Sequence, residues 1–125
     1  MKIHNAKMKK QEYIEAWGSG NAYREFLYVD DAADAIIFLL KNYKNNGIVN
    51  LGTGNSIQIK ELLNTIKKIV EYPGEIRFDE TKVEGTLRRE LDTSKLKNLG
   101  WEPKIDLNEG LKRTYEYYLS KNNFK

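Results

Sequence analysis

Lys2, Arg24, Arg88 and Arg89 lie beside or within irregular stretches of this 125-residue chain, away from any periodic helix face, and cations so placed can grip an anion. A guanidinium presents a flat fork of donors matched to phosphate oxygens, whereas a lysine supplies a compact charge. Near Arg24 stand Trp17 and Tyr23, whose rings can stack on a base or pack against a sugar. The same stretch ends in Asp30-Asp31, readable as an acid–base pair or as the cap of a following helix, and the cap suits the apolar run after it. Lys and Arg number 21 against 18 Asp and Glu, for a net charge of +3, and the two signs are intermixed along the chain. That mixing disfavours a nucleic-acid interface, which concentrates its cations on one element, and suits a small anionic ligand.

Other patterns carry less. Gly18-Ser19-Gly20 and Gly52-Thr53-Gly54 both lack the third glycine of a dinucleotide fingerprint. The second follows a β-like run and opens a helix, but no acidic residue ends a later strand at the required distance, so both read as tight turns. Tyr117 and Lys121 have the spacing by which a reductase sets a phenol beside an ammonium, yet they fall in the last turn of the final helix and read as coincidence. Cysteine is absent and His4 is the sole histidine, which leaves no thiol nucleophile or disulfide in these residues and predicts no metal site. No apolar signal segment and no membrane-length apolar run occurs, so a cytoplasmic protein without a membrane partner is expected.

Helical patterns alternating with short β-like runs indicate an α/β class within a single domain. A helix is expected over 2–11, with Ile3 and Ala6 inward and nothing before Lys2 to cap it, which suggests a piece cut from a longer protein. Extended runs are expected over 13–16 and 25–29, around a turn at 18–21. Asp30 or Asp31 should cap a helix reaching Asn42, with Ala32, Ala35, Ile36, Leu39, Leu40 and Tyr43 on its apolar face. Residues 48–51 read as a strand, and Ser56 as the cap of a helix with Ile59, Leu62, Leu63, Ile66, Ile69 and Val70 inward. Tyr72-Pro73-Gly74 stops that helix; a strand over 75–78 and a polar loop over 79–89 follow. Asp92-Thr93-Ser94 should cap a short helix ending near Gly100. Asp106 with Glu109 resembles a capping box for a last helix that places Leu107, Leu111, Tyr115, Tyr118 and Leu119 inward as far as about Ser120.

Arg-Glu-Phe-Leu-Tyr-Val-Asp-Asp at 24–31 before an alanine-rich helix, then Val49-Asn50-Leu51-Gly52-Thr53-Gly54, resembles the C-terminal half of the extended short-chain dehydrogenase/reductases that act on nucleotide sugars. Trp17-Gly-Ser-Gly before Arg24, and Glu84-Gly-Thr-Leu-Arg-Arg-Glu-Leu-Asp92 before Leu99-Gly100-Trp101, resemble the members that take a GDP-sugar, GDP-4-keto-6-deoxy-D-mannose. The resemblance covers nearly the whole chain. It implies a Rossmann-type α/β fold with most of the dinucleotide-binding sheet missing, residues 1–125 being the C-terminal substrate-binding part. It further implies substrate contacts by Lys2, Trp17, Arg24, Glu84 and Arg89, and NADP held by an N-terminal part that is not here. The family's catalytic Ser, Tyr, Lys, Cys and His would all lie there too, leaving no catalytic residue in this chain; the family is commonly homodimeric. Glu84 stands where the family usually has Asp, and Leu87 where it commonly has Pro, which would leave that loop less stiff.

Overall fold

A computed structural model of the chain describes residues 2–122. Among them the elements run α1 (Lys2–Met8), β1 (Tyr13–Trp17), β2 (Tyr23–Glu25), α2 (Val29–Asn42), β3 (Ser56–Gln58), α3 (Ile59–Val70), β4 (Glu75–Asp79), α4 (Ser94–Asn98) and α5 (Leu107–Asn122). β1 and β4 pair in parallel, Tyr13 against Glu75 and Trp17 against Asp79, while β2 and β3 pair antiparallel, Arg24 against Ile57. Two separate apolar clusters hold the elements together. Ile3, Ala6, Ile14, Val70 and Tyr72 gather α1, β1 and α3, with Tyr115 of α5 against them, and Ala35, Leu96 and Trp101 gather α2 and α4 with the loop at Val49 and Leu51.

Helix α3 carries the expected face: Leu62 and Val70 are buried and Ile59, Leu63, Ile66 and Ile69 half-buried. Its start differs. Ser56 lies in β3, where its hydroxyl donates to Glu90, and the helix begins at Ile59 without a side-chain cap. The free first-turn amides of Ile59 and Lys60 donate instead to the carbonyls of Ala22 (3.0 Å) and Gly20 (2.9 Å). The loop after β1 is thereby fastened to the helix. Gly20 is required at this point: its φ is +73°, and a Cβ would lie 2.4 Å from the Phe78 ring.

The carboxylates of 30–31 do not cap α2 either, whose N-cap is Tyr28. Asp31 is buried and accepts the amides of Lys104 (3.0 Å) and Ile105 (2.8 Å), fixing the segment that leads into α5, while Asp30 remains exposed in the first turn where the dipole favours it. The expected α2 face is only partly used. Ala35 is buried and Ala32, Leu39 and Tyr43 half-buried, but Ile36 is 53% and Leu40 80% exposed, because the Leu96–Trp101 cluster is narrower than the apolar stripe that meets it.

Residues 48–51 are not a strand. Ile48 points out and Val49 and Leu51 point in, the alternation of a strand, yet no neighbouring strand among the described residues supplies a ladder. Side chains hold the run instead, Lys95 donating to the Ile48 carbonyl (3.0 Å) and Asn50 to that of Asp92 (3.0 Å). The second expected run is shorter and earlier, β2 at Tyr23–Glu25, with Val29 already helical. α1 ends at Met8 because Lys10 turns left-handed at φ +51°. At α5 half of the capping box forms: Asp106 accepts the Glu109 amide (2.9 Å), whereas Glu109 pairs with Arg113 (2.7 Å). The five expected inward side chains of α5 are all half-buried.

Leu96 is 1% exposed between Ala35 and Trp101, so Leu96→Ala leaves a cavity and is expected to cost about 2–5 kcal/mol in urea unfolding. A loss below about 1 kcal/mol would show that α2 and α4 are not close-packed.

Candidate functional site

Parallel strands direct their carboxyl ends the same way, and in open α/β sheets ligands bind beyond those ends. Trp17 and Asp79 are the paired last residues of β1 and β4, so the loops at 18–22 and 80–91 leave from one edge. A backbone bond joins them, the Gly18 amide to the Asp79 carbonyl at 2.9 Å. The Asp79 carboxylate closes its own turn on Thr81, whose hydroxyl and amide together hold it below the ordinary aspartate range despite some desolvation.

Four of the five residues expected to touch substrate come to this edge. Trp17 is 72% exposed. The Glu84 Oε1 accepts from the Ser19 amide (3.2 Å) and the Ser19 hydroxyl, so Glu84 pins the late loop to the turn after Trp17. Arg24 reaches into the same loop, its Nη1 donating to the carbonyls of Thr86 (2.8 Å) and Tyr23 (2.6 Å). The loop then runs beside β2: the Tyr23 amide donates to Leu87 (2.7 Å) and the Arg89 amide to Tyr23 (3.2 Å). The fifth, Lys2, approaches from α1 and donates to the Glu15 carbonyl on β1, shortly before Trp17.

The two late arginines differ. Arg88 stacks over the Tyr23 ring at 4.2 Å and pairs with Glu90 at 3.0 Å, and Glu90 also accepts from Ser56. Side chains of an extended run alternate in direction, so Arg89 projects to the opposite face from Arg88 and Glu90. It is exposed, and no ion pair among the described residues engages it.

Glu25 is the residue that sequence reasoning missed. Its Oε1 accepts from the amides of Thr53 and Gly54 (2.8 Å) and from the Thr53 hydroxyl (3.2 Å), and its Oε2 accepts the Leu91 amide (2.9 Å). Gly52 must be glycine beneath it, since a Cβ would lie 2.2 Å from Oε1. Burial raises the carboxyl, but the amides of Leu91, Gly54 and Thr53 and the Thr53 hydroxyl outweigh it, so Glu25 titrates below the ordinary 4.5. The partners stand far from Glu25 in sequence, and the sole local hint was two glycines flanking a Thr.

This also tests the turns against a dinucleotide. The amides at Thr53 and Gly54 face the Glu25 carboxylate and the Ser19 amide faces Glu84, so these donors of the two Gly-x-Gly turns are taken within the chain. His4 is buried with Nδ1 2.9 Å from the Tyr115 hydroxyl, and Tyr117 is 64% exposed beneath Lys121 at the end of α5, so neither belongs to the edge described above. Among the described residues no cluster of three or more His, Asp or Glu is placed to hold a metal, and no helix is long and apolar enough to cross a membrane.

A family model described as NAD dependent epimerase/dehydratase matches residues 1–52. GDP-L-fucose synthase 1 of Arabidopsis thaliana is 45% identical over 118 residues, 94% of this chain and 36% of the relative. Over that stretch the chain resembles the NAD dependent epimerase/dehydratase family. A solved structure, a GDP-mannoheptose C4 reductase from Campylobacter jejuni with NADP bound, superimposes with a TM-score of 0.82 at 36% identity over 94% of this chain and 42% of its own. The UDP-glucose 4-epimerase of Thermotoga maritima, solved with UDP-glucose, gives 0.82 at 31% identity over 96% and 38%. The chain thus spans little more than a third of the relatives it matches, and its fold is part of the Rossmann-type α/β architecture of this epimerase/dehydratase family.

Because the folded Glu25 value is depressed, its stabilisation is present above the unfolded value and is lost as pH falls through the folded one. Acid titration below 4.5 should therefore shift the Thr53, Gly54 and Leu91 amide resonances together, following the Glu25 carboxyl, while mid-α3 amides stay still. Leu91 and Gly54 amides that ignore the carboxyl titration would contradict the assignment.

Proposed function

We propose that this chain is the substrate-binding portion of an enzyme like GDP-L-fucose synthase, which epimerises GDP-4-keto-6-deoxy-D-mannose at C3 and C5 and reduces it at C4 with NADPH. The observation that carries the reading is the convergence of Trp17, Arg24 and Glu84 on one carboxyl-end edge, with Arg89 exposed on the loop beside them. Arg24 has five N–H donors and uses Nη1 on carbonyls, leaving Nε and Nη2 as a fork for phosphate oxygens. Arg89 supplies a second guanidinium and Lys2 a further cation. Trp17 offers an open indole face for a sugar or a base. Glu84 keeps the loop in register with that indole and presents its remaining oxygen toward substrate hydroxyls.

The chemistry belongs, in this reading, to a cofactor-binding segment outside these residues. NADP is seen in the Campylobacter relative, whereas here both glycine turns face carboxylates, cysteine is absent and His4 is engaged with Tyr115. The chain alone would bind the nucleotide sugar, a small-molecule partner, without converting it. Positioning supplies several kcal/mol of a barrier only when acid, base and hydride donor are also present. The exposed Ile36, Ile37 and Leu40 stripe on α2 fits a chain that folds against a further segment or a separate cofactor-carrying subunit.

A second reading keeps the fold and changes the nucleotide to a UDP-sugar, favoured by the likeness to the Thermotoga epimerase. Calorimetry of the chain with GDP and with UDP separates the two. GDP should bind more tightly, and Arg89→Ala should weaken it about tenfold, the loss of one charge-assisted phosphate contact. Equal or stronger binding of UDP would select the second reading, and an Arg89→Ala chain that binds GDP like the parent would remove Arg89 from the clamp.

A further inference from the structure

The loop from Leu87 to Leu91 has three inward anchors at alternate residues: the Leu87 carbonyl, the Arg89 amide and the Leu91 amide. The first two meet the backbone of Tyr23, and the third meets a side chain, Glu25. Arg24 and Glu25, adjacent on β2, therefore hold opposite ends of the segment, Arg24 at Thr86 and Glu25 at Leu91. The other Glu25 oxygen is anchored on the turn at Thr53 and Gly54, which makes the carboxylate a strut between that turn and the loop. On the far face, Arg88 lies on Tyr23 and Glu90 on Ser56, so the backbone on both sides of Arg89 is held by these anchors.

We propose that Glu25 is the positioning residue of the nucleotide clamp: through Leu91 it sets the direction of Arg89 and hence how tightly the chain holds a diphosphate. This rests on the proposed function, since it takes Arg89 to be a phosphate ligand. Glu25 itself does not meet the ligand; its oxygens face the amides of 53, 54 and 91. A carboxylate is needed because all its partners donate. A carboxamide of the same shape would turn an NH2 group on an N–H, leaving one end of the strut unbonded.

The test compares the chain with Glu25→Gln by calorimetry, using GDP and GMP as probes, and by amide hydrogen exchange without ligand. Glu25→Gln should weaken GDP about tenfold and GMP much less, speed exchange at Arg89 and Leu91, and leave the middle of α3 protected. Combining it with Arg89→Ala should add little, because both act through one guanidinium. Leu91→Pro deletes a single amide hydrogen while leaving Glu25 on Thr53 and Gly54, and should reproduce the exchange and GDP effects if Glu25→Gln does not fold. Unchanged exchange at Arg89 in these variants, or GDP losses that add fully to that of Arg89→Ala, would overturn the proposal. If the parent chain bound no GDP, the proposed function would fail, and the clamp proposal with it, while faster Arg89 exchange would still register the strut as a separate result.

Discussion

A single carboxylate at Glu25 stands where two otherwise unrelated loops meet, and the candidate site depends on it. An anion drawn partly out of water must be met by donors, and amides that leave a helix or sheet early need acceptors. Here the two needs answer each other: the turn and the end of the late loop carry the amides of Thr53, Gly54 and Leu91, and Glu25 accepts all three. Gly52 is the steric corollary, since any side chain there would occupy the carboxylate's place.

Asp31 repeats the device at the other end of the same sequence motif. It is buried and accepts two consecutive amides ahead of α5, while Asp34 accepts from the Trp101 indole at 2.9 Å. Asp34 thus fastens α2 to the Trp101 indole of the same apolar cluster, and Asp31 fastens α2 to the segment that leads into α5. Hydrophobic burial is indifferent to direction, whereas a carboxylate between two amides accepts only a narrow geometry, and this is how a small amount of core can still define a site.

Much of the fold was legible because it is periodic. The α3 face, the inward residues of α5 and the run at 13–17 follow spacing alone. Two of the misreadings share one cause, that a polar residue near a helix start was assumed to cap it. Ser56, Asp30 and Asp31 have the right chemistry for caps, but Ser56 and Asp31 found partners distant in sequence, and α3 was capped by the carbonyls of Gly20 and Ala22. Residues 48–51 show the converse: the side-chain alternation is local and was read, but a strand also needs a neighbour, which no local pattern supplies. Of the candidate site, Trp17, Arg24 and the late arginines were singled out by type. The strut at Glu25 was not, because its bonds reach across separations that spacing does not encode.

The late loop is fastened at both ends, by Glu84 on Ser19 and by Leu91 on Glu25, with the residues between them exposed. A segment held in this way behaves as a cassette. Between the two fastenings its backbone is stitched to Arg24 and Tyr23 at Thr86, Leu87 and Arg89, so side chains can change there more readily than length. An insertion between Glu84 and Leu91 would shift Leu87 and Arg89 out of register with Tyr23, whereas a replacement that keeps the length leaves those backbone bonds in place.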